Sequence, residues 1–115
     1  MPDDPELRRL LWHLLGGARG GENRGRIIHE LHVRPSNLNQ MATKLNLEYR
    51  SIQHHMEILR KNSLVSSKGE KYGMTYFLTP FLEANLDLFY DICAKLKLNI
   101  EVEPSARNDE DRKSS

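Results

Sequence analysis

A chain of 115 residues suffices for one domain and not two. Its 38% hydrophobic content can furnish one compact core, and a formal net charge of +1 excludes a uniformly basic coat for nucleic acid. No stretch approaches the roughly 18 apolar residues of a membrane span. The opening MPDDPELRRLL lacks the basic start and apolar run of a signal peptide, so a cytoplasmic location with no membrane partner is expected.

Pro5 and Glu6 open a helical pattern in which Leu7, Leu10, Leu11, Leu14 and Leu15 recur at helical spacing. Gly16 and Gly17 stop it, and a glycine-rich loop runs to about Gly21. A second helix is expected over Glu22 to Val33, with Ile27, Ile28 and Leu31 as its apolar stripe, ended by Pro35. Ser36 or Asn37 caps a short third helix to Leu45, with Leu38, Met41, Ala42 and Leu45 inward and Asn46 as its C-terminal cap. After Asn46-Leu47-Glu48 a fourth helix runs from about Tyr49 to Asn62, turning Ile52, Met56 and Leu59 inward with His55 alongside. Two short helices joined by so tight a break form a helix-turn-helix corner.

Residues 64–68 and 74–79 read as two strands, rich in β-branched and aromatic residues, around a turn at 69–73. A hairpin directly after the second helix of such a corner is a wing. Pro80 starts a last helix to about Lys97. Its Leu82, Leu86, Phe89, Cys93 and Leu96 step by four and three, the seam that helices use to pair. That seam packs either on its own domain or on a second copy of the chain. Pairing is the favoured reading, because the earlier helices already supply a core. Residues 99–115 lose apolar content and are expected to form a disordered acidic tail. The fold class expected is therefore mainly α with a small β-hairpin, one domain over residues 1–98.

Charge is uneven along the chain. Between Arg19 and Lys71 there are ten Lys or Arg against five Asp or Glu, whereas Glu101 to Ser115 holds five acids and three bases. A basic middle suits a localised anion-binding face. The single cysteine, Cys93, can form neither an internal disulfide nor a cysteine-based zinc site alone.

The run from Ile27 to Leu78 resembles the ArsR-type winged helix regulators, in the form common in archaea. Asn39-Gln40-Met41-Ala42, Tyr49-Arg50-Ser51-Ile52-Gln53-His54-His55-Met56, Leu59 to Val65, and Tyr72-Gly73 with Tyr76-Phe77-Leu78 carry the resemblance, helped by Gly16 to Gly21 and Arg24. It implies a DNA-binding transcriptional regulator that pairs as a homodimer through terminal helices. It also implies a fourth helix in the major groove and wings on flanking backbone. Metal-sensing members carry a Cys-x-Cys pair that this chain lacks. His29 and His32 stand three apart on a helix and are expected to be surface or packing residues, and the adjacent His54 and His55 diverge by about 100° on a helix, so no metal and no cofactor is expected.

Helix geometry leaves Tyr49, Arg50, Ser51, Gln53 and His54 outward on the fourth helix, as the expected base-reading set. Arginine can pair with guanine O6 and N7, and glutamine with adenine N6 and N7. Phosphates are expected at Asn37, Asn39, Gln40 and Lys44 around the third helix, and at Lys61, Lys68 and Lys71. Glu57 would repel phosphate unless it accepts from a cytosine amine or faces elsewhere. Arg19 and Arg24 are expected near DNA or in a salt bridge. The loop lacks the Gly-Lys-Ser/Thr ending of a nucleotide-binding loop and follows a helix. No serine stands in a nucleophile-elbow context, so an enzyme is not expected. The alternative function is a winged helix that binds protein within a larger assembly, for which an apolar patch on the fourth helix would be the mark.

Overall fold

In the computed structural model, residues 4–17, 19–70 and 73–101 are described. Helix α1 (Pro5–Gly16) begins where the Asp4 carboxylate accepts from the Glu6 and Leu7 N–H groups, with proline in the first turn. Leu7, Leu11, Leu14 and Leu15 are its buried face. Helix α2 (Gly21–Val33) buries Ile27, Ile28 and Leu31 and ends before Pro35. Helix α3 (Leu38–Leu45) starts in a capping box: the Gln40 N–H donates to Asn37 Oδ1 at 2.7 Å, and the Asn37 N–H donates to Gln40 Oε1 at 2.8 Å. Helix α4 (Tyr49–Lys61) buries Ile52, His55, Met56 and Leu59.

Strands β1 (Val65–Lys68) and β2 (Thr75–Leu78) pair antiparallel, with Val65 opposite Leu78 and Lys68 opposite Thr75. Alternation puts Val65, Ser67, Tyr76 and Leu78 on one face, and Val65 and Leu78 are buried in the core. Ser36, in the α2–α3 link, exchanges two backbone hydrogen bonds with Tyr76, at 3.1 and 2.8 Å. This third, one-residue strand ties the hairpin to the helix-turn-helix corner. The link reads as plain loop in the sequence because Pro35 and Ser36 carry no strand pattern. At the hairpin base the Thr79 hydroxyl donates to the Ser63 carbonyl at 2.8 Å.

Three helices end alike. Asn46, Ser63 and Lys97 take left-handed φ values of 56°, 61° and 58°. In each case the next residue's N–H reaches back five positions, as Leu47 does to Ala42, Leu64 to Leu59 and Leu98 to Cys93. Asn46 was legible as such a cap; Ser63 and Lys97 carry no sequence signal for the role.

The last helix departs from expectation in two ways. It divides into α5 (Pro80–Glu83) and α6 (Leu86–Lys95). The Asn85 side-chain amide donates to the Phe81 carbonyl at 2.8 Å, and Asn85 itself is the N-terminal cap of α6. The expected pairing seam is also corrected in part. Leu82, Phe89 and Cys93 are buried within the single chain, joining Leu11, Ile27, Ile52, Leu59 and Ile92 in one core. Only Leu86 and Leu96 of the five remain half-buried. Spacing by four and three identifies an apolar stripe but not what covers it, and here α1 packs on α6.

The expected start of the tail at residue 99 is a further correction. Ile100 is buried, close enough that a Cβ on Gly25 would stand 3.0 Å from its Cγ2. The Asn99 N–H donates to the Glu22 carboxylate. The domain therefore extends through residue 101, and residues 102–115 of the expected tail lie outside the described residues. Among the described residues no helix is long and apolar enough to cross a membrane.

Candidate nucleic-acid interface

Helix α4 is held by one face and open on the other. Ile52, Met56 and Leu59 are at most 1% exposed. Their spacing leaves Tyr49, Arg50, Gln53 and His54 exposed and Ser51 half-buried. Four of the five expected base-reading residues are therefore open to solvent in the first turns of α4, and Ser51 is partly covered. No side chain caps the N-terminus of α4, where Glu48 holds an extended backbone, so its first N–H groups have no side-chain partner there.

The bridge between Ser36 and Tyr76 brings the wing up to this end of the corner. A cleft of about 430 Å³ lies between Asn37 and Asn39 at the start of α3, Tyr49 and Gln53 on α4, and Met74 and Tyr76 at the hairpin. Residues distant in sequence, 37–39, 49–53 and 74–76, thus face one space. Tyr76 belongs to it, a residue that the sequence marks only as part of the second strand. Burial pushes its phenol above the ordinary tyrosine value, with the Arg60 guanidinium pulling the other way, so the hydroxyl stays a neutral hydrogen-bond donor near pH 7.

The expected phosphate contacts are more scattered. Asn37 and Gln40 commit their side chains to the capping box, leaving Asn39 exposed beside them. Lys44 pairs with Glu30 at 3.7 Å, on the α2 side of α3. Lys61 is exposed in the last turn of α4, about 18 Å along the axis from Tyr49 at 1.5 Å per residue. Lys68 is exposed at the end of β1, and Lys71 lies outside the described residues. Glu57 is paired with Arg60 at 2.7 Å, which offsets the repulsion expected of its carboxylate. Arg60 was not singled out in the sequence; three residues from Glu57 on a helix, it had a pairing signal all the same.

Arg24 is corrected. It is 3% exposed and makes no salt bridge among the described residues; its guanidinium donates to the Leu14 carbonyl at 2.8 Å and to the Arg19 carbonyl at 3.2 Å. Sequence shows a charge but not the backbone carbonyls that will surround it. His29 and His32 each have a protein partner, the Tyr90 hydroxyl at 2.7 Å and Glu83 at 3.4 Å. Among the described residues no group of three His, Cys, Asp or Glu is placed to hold a metal ion. Burial raises the Cys93 thiol to about 12, which makes it an inert core residue near neutral pH.

No protein-family model matches this chain, and no curated protein does. Solved structures do. Diamide-treated YodB from B. subtilis superposes with a TM-score of 0.63 at 20% identity, covering 88% of this chain and 99% of that one. A probable transcriptional regulator from Pseudomonas aeruginosa gives 0.61 at 15% identity, with 81% and 73% covered. The homodimeric winged helix-turn-helix DNA-binding domain of Mb0332 from Mycobacterium bovis, a possible ArsR-family transcriptional regulator, gives 0.58 at 17% identity, with 88% and 94% covered. At such identities the likeness establishes the fold: this chain is a winged helix-turn-helix, mainly helical with a two-stranded hairpin, as its sequence leads one to expect.

Proposed function

We propose that the chain is a DNA-binding transcriptional regulator that acts as a homodimer. Helix α4 enters the major groove and the hairpin lies on flanking backbone. The observation that carries this reading is the shared cleft and its outer rim. The α3 start, the α4 start and the hairpin converge there with Gln53 in the lining, and Arg50 and His54 stand exposed on the same helix. These are hydrogen-bonding side chains of the kind that read base edges. The face is polar rather than an apolar patch, which favours DNA over the protein-binding alternative. Asn39 and the uncapped N–H groups of α4 meet phosphate, joined by Lys61 and Lys68, and position the protein without reading sequence.

The pairing surface needs residues that the single chain leaves uncovered. Leu86 and Leu96 are half-buried, and Trp12 and Phe81 are 36% and 44% exposed. We assign pairing to these positions on the terminal helices rather than to Leu82, Phe89 and Cys93. The neighbours support the reading as regulators, one of them a homodimer.

Selection of bound duplexes from a random-sequence pool tests it. The expected product is a two-fold symmetric site whose half-sites are about one helical turn, some 34–36 Å, apart. A pool recovered without enrichment contradicts sequence-specific regulation.

A further inference from the structure

DNA binding leaves the glycine- and arginine-rich segment GGARGGENRG (residues 16–25) without a task. The segment builds a socket around one side chain of α4. Gly20 holds a left-handed φ of 83°, and a Cβ there would stand 2.6 Å from Cε1 of His55. A Cβ on Gly21 would stand 2.1 Å from the Leu15 carbonyl oxygen, so only glycine lets α2 start this close to the end of α1. Arg24 fills the space between. Its Nε donates to the Leu14 carbonyl, its Nη2 to the Arg19 carbonyl, and its Nη1 to His55 Nδ1 at 3.2 Å. Since a guanidinium can only donate, Nδ1 must accept, and the proton of the neutral ring sits on Nε2. His55 is 8% exposed and lies one residue from His54 and two from Gln53.

Resting on the DNA-binding reading, we propose that Arg24 and His55 are a positioning pair that fixes α4 against the α1–α2 corner, and that acid weakens DNA binding by protonating His55 and releasing it. An imidazolium has no lone pair at Nδ1 to offer. It would also set a second positive charge 3.2 Å from the Arg24 guanidinium, in a site shielded from water. The groups facing His55 are Arg24 from α2 and His54 from its own helix; the end of α1 and the loop after it present the backbone at Leu14, Arg19 and Gly20. No carboxylate among the described residues pairs with Arg24 or His55 to offset the charge.

The sign follows. Burial first, then the charges of Arg24 and His54, hold His55 below the ordinary histidine value. A freed His55 titrates near about 6.5, so the released state binds the proton first. The contact is intact above about pH 6.5 and is lost as pH falls through the lowered docked value.

The test uses the full chain and a labelled duplex of its own upstream region at low salt, with anisotropy read from about pH 7.5 to about pH 5.5. Wild type should lose affinity several-fold with acid. His55→Asn keeps an acceptor at the δ position and does not titrate; whatever affinity it has at the upper pH, it should hold at the lower. Arg24→Met should bind more weakly at both. Acid loss as steep in His55→Asn as in wild type overturns the proposal and leaves DNA binding standing. Absence of duplex binding at the upper pH removes the DNA-binding reading and the proposal with it. A ring-nitrogen NMR titration of the free wild-type protein needs no variant. It should show His55 protonated on Nε2 at neutral pH with a midpoint below the ordinary histidine value, and a proton on Nδ1 or an ordinary midpoint overturns the proposal.

Discussion

Arg50 and Gln53 are exposed side chains on a helix whose opposite face is fully buried. Replacing either by alanine removes no packing, so effects on binding and on stability should separate. Each of Arg50→Ala and Gln53→Ala is expected to cost about 1–3 kcal/mol of discrimination between the selected duplex and a scrambled one. Thermal unfolding should stay within about 0.5 kcal/mol of wild type. Unchanged discrimination in both variants would remove α4 from base reading. Outward residues of α4 were legible in the sequence because one helical face follows from 3.6 residues per turn once Ile52, Met56 and Leu59 are taken as inward. Arg24 was not. Burial of a charged side chain depends on acceptors supplied by Leu14, Arg19 and His55, at sequence separations that no periodicity reports.

At the scale of elements, what the sequence conveys best is existence and type, and what it conveys least is partnership. The first four helices and both strands fall within about one residue of their expected limits, since Pro, Gly, Asn and the apolar stripes mark them locally. The pairing of Ser36 with Tyr76 and the return of Ile100 onto Gly25 are contacts between segments and leave no local mark. The tight junction of α1 and α2 belongs to the same class and makes a prediction. Gly21→Ala would put a methyl 2.1 Å from the Leu15 carbonyl oxygen, whereas a Cβ on Gly73 meets nothing within 4 Å. Gly21→Ala is expected to destabilise the fold by about 1–3 kcal/mol, and Gly73→Ala to change it by less than about 0.5 kcal/mol. Denaturant titrations of the pair measure both; equal stability would contradict the close approach of the two helices.

At the scale of the whole molecule, most of the apolar stripe of the last helices belongs to the chain's own core. Leu82, Phe89 and Cys93 complete the core, and burying each such side chain stabilises by about 1.5–3 kcal/mol for the larger ones. Glutamate at Phe89 would therefore unfold the chain and say nothing about pairing. Leu86 is half-buried, in the first turn of α6, and is the position that reports on a second copy. Leu86→Glu is expected to sediment as a folded monomer where wild type sediments as a dimer. A dimer that survives the substitution would place the interface on another face.

Reading of duplex DNA through α4 makes a direct prediction for equilibrium binding. Fluorescence anisotropy of the purified protein would compare its own upstream DNA with a scrambled duplex at about 50 mM and about 200 mM salt. Binding that weakens with salt on both duplexes, yet stays tighter on the upstream one at each concentration, is the predicted result: phosphate contacts supply the salt dependence and base contacts the preference. No binding to either duplex at the lower salt would contradict it and leave the exposed face of α4 to a protein partner.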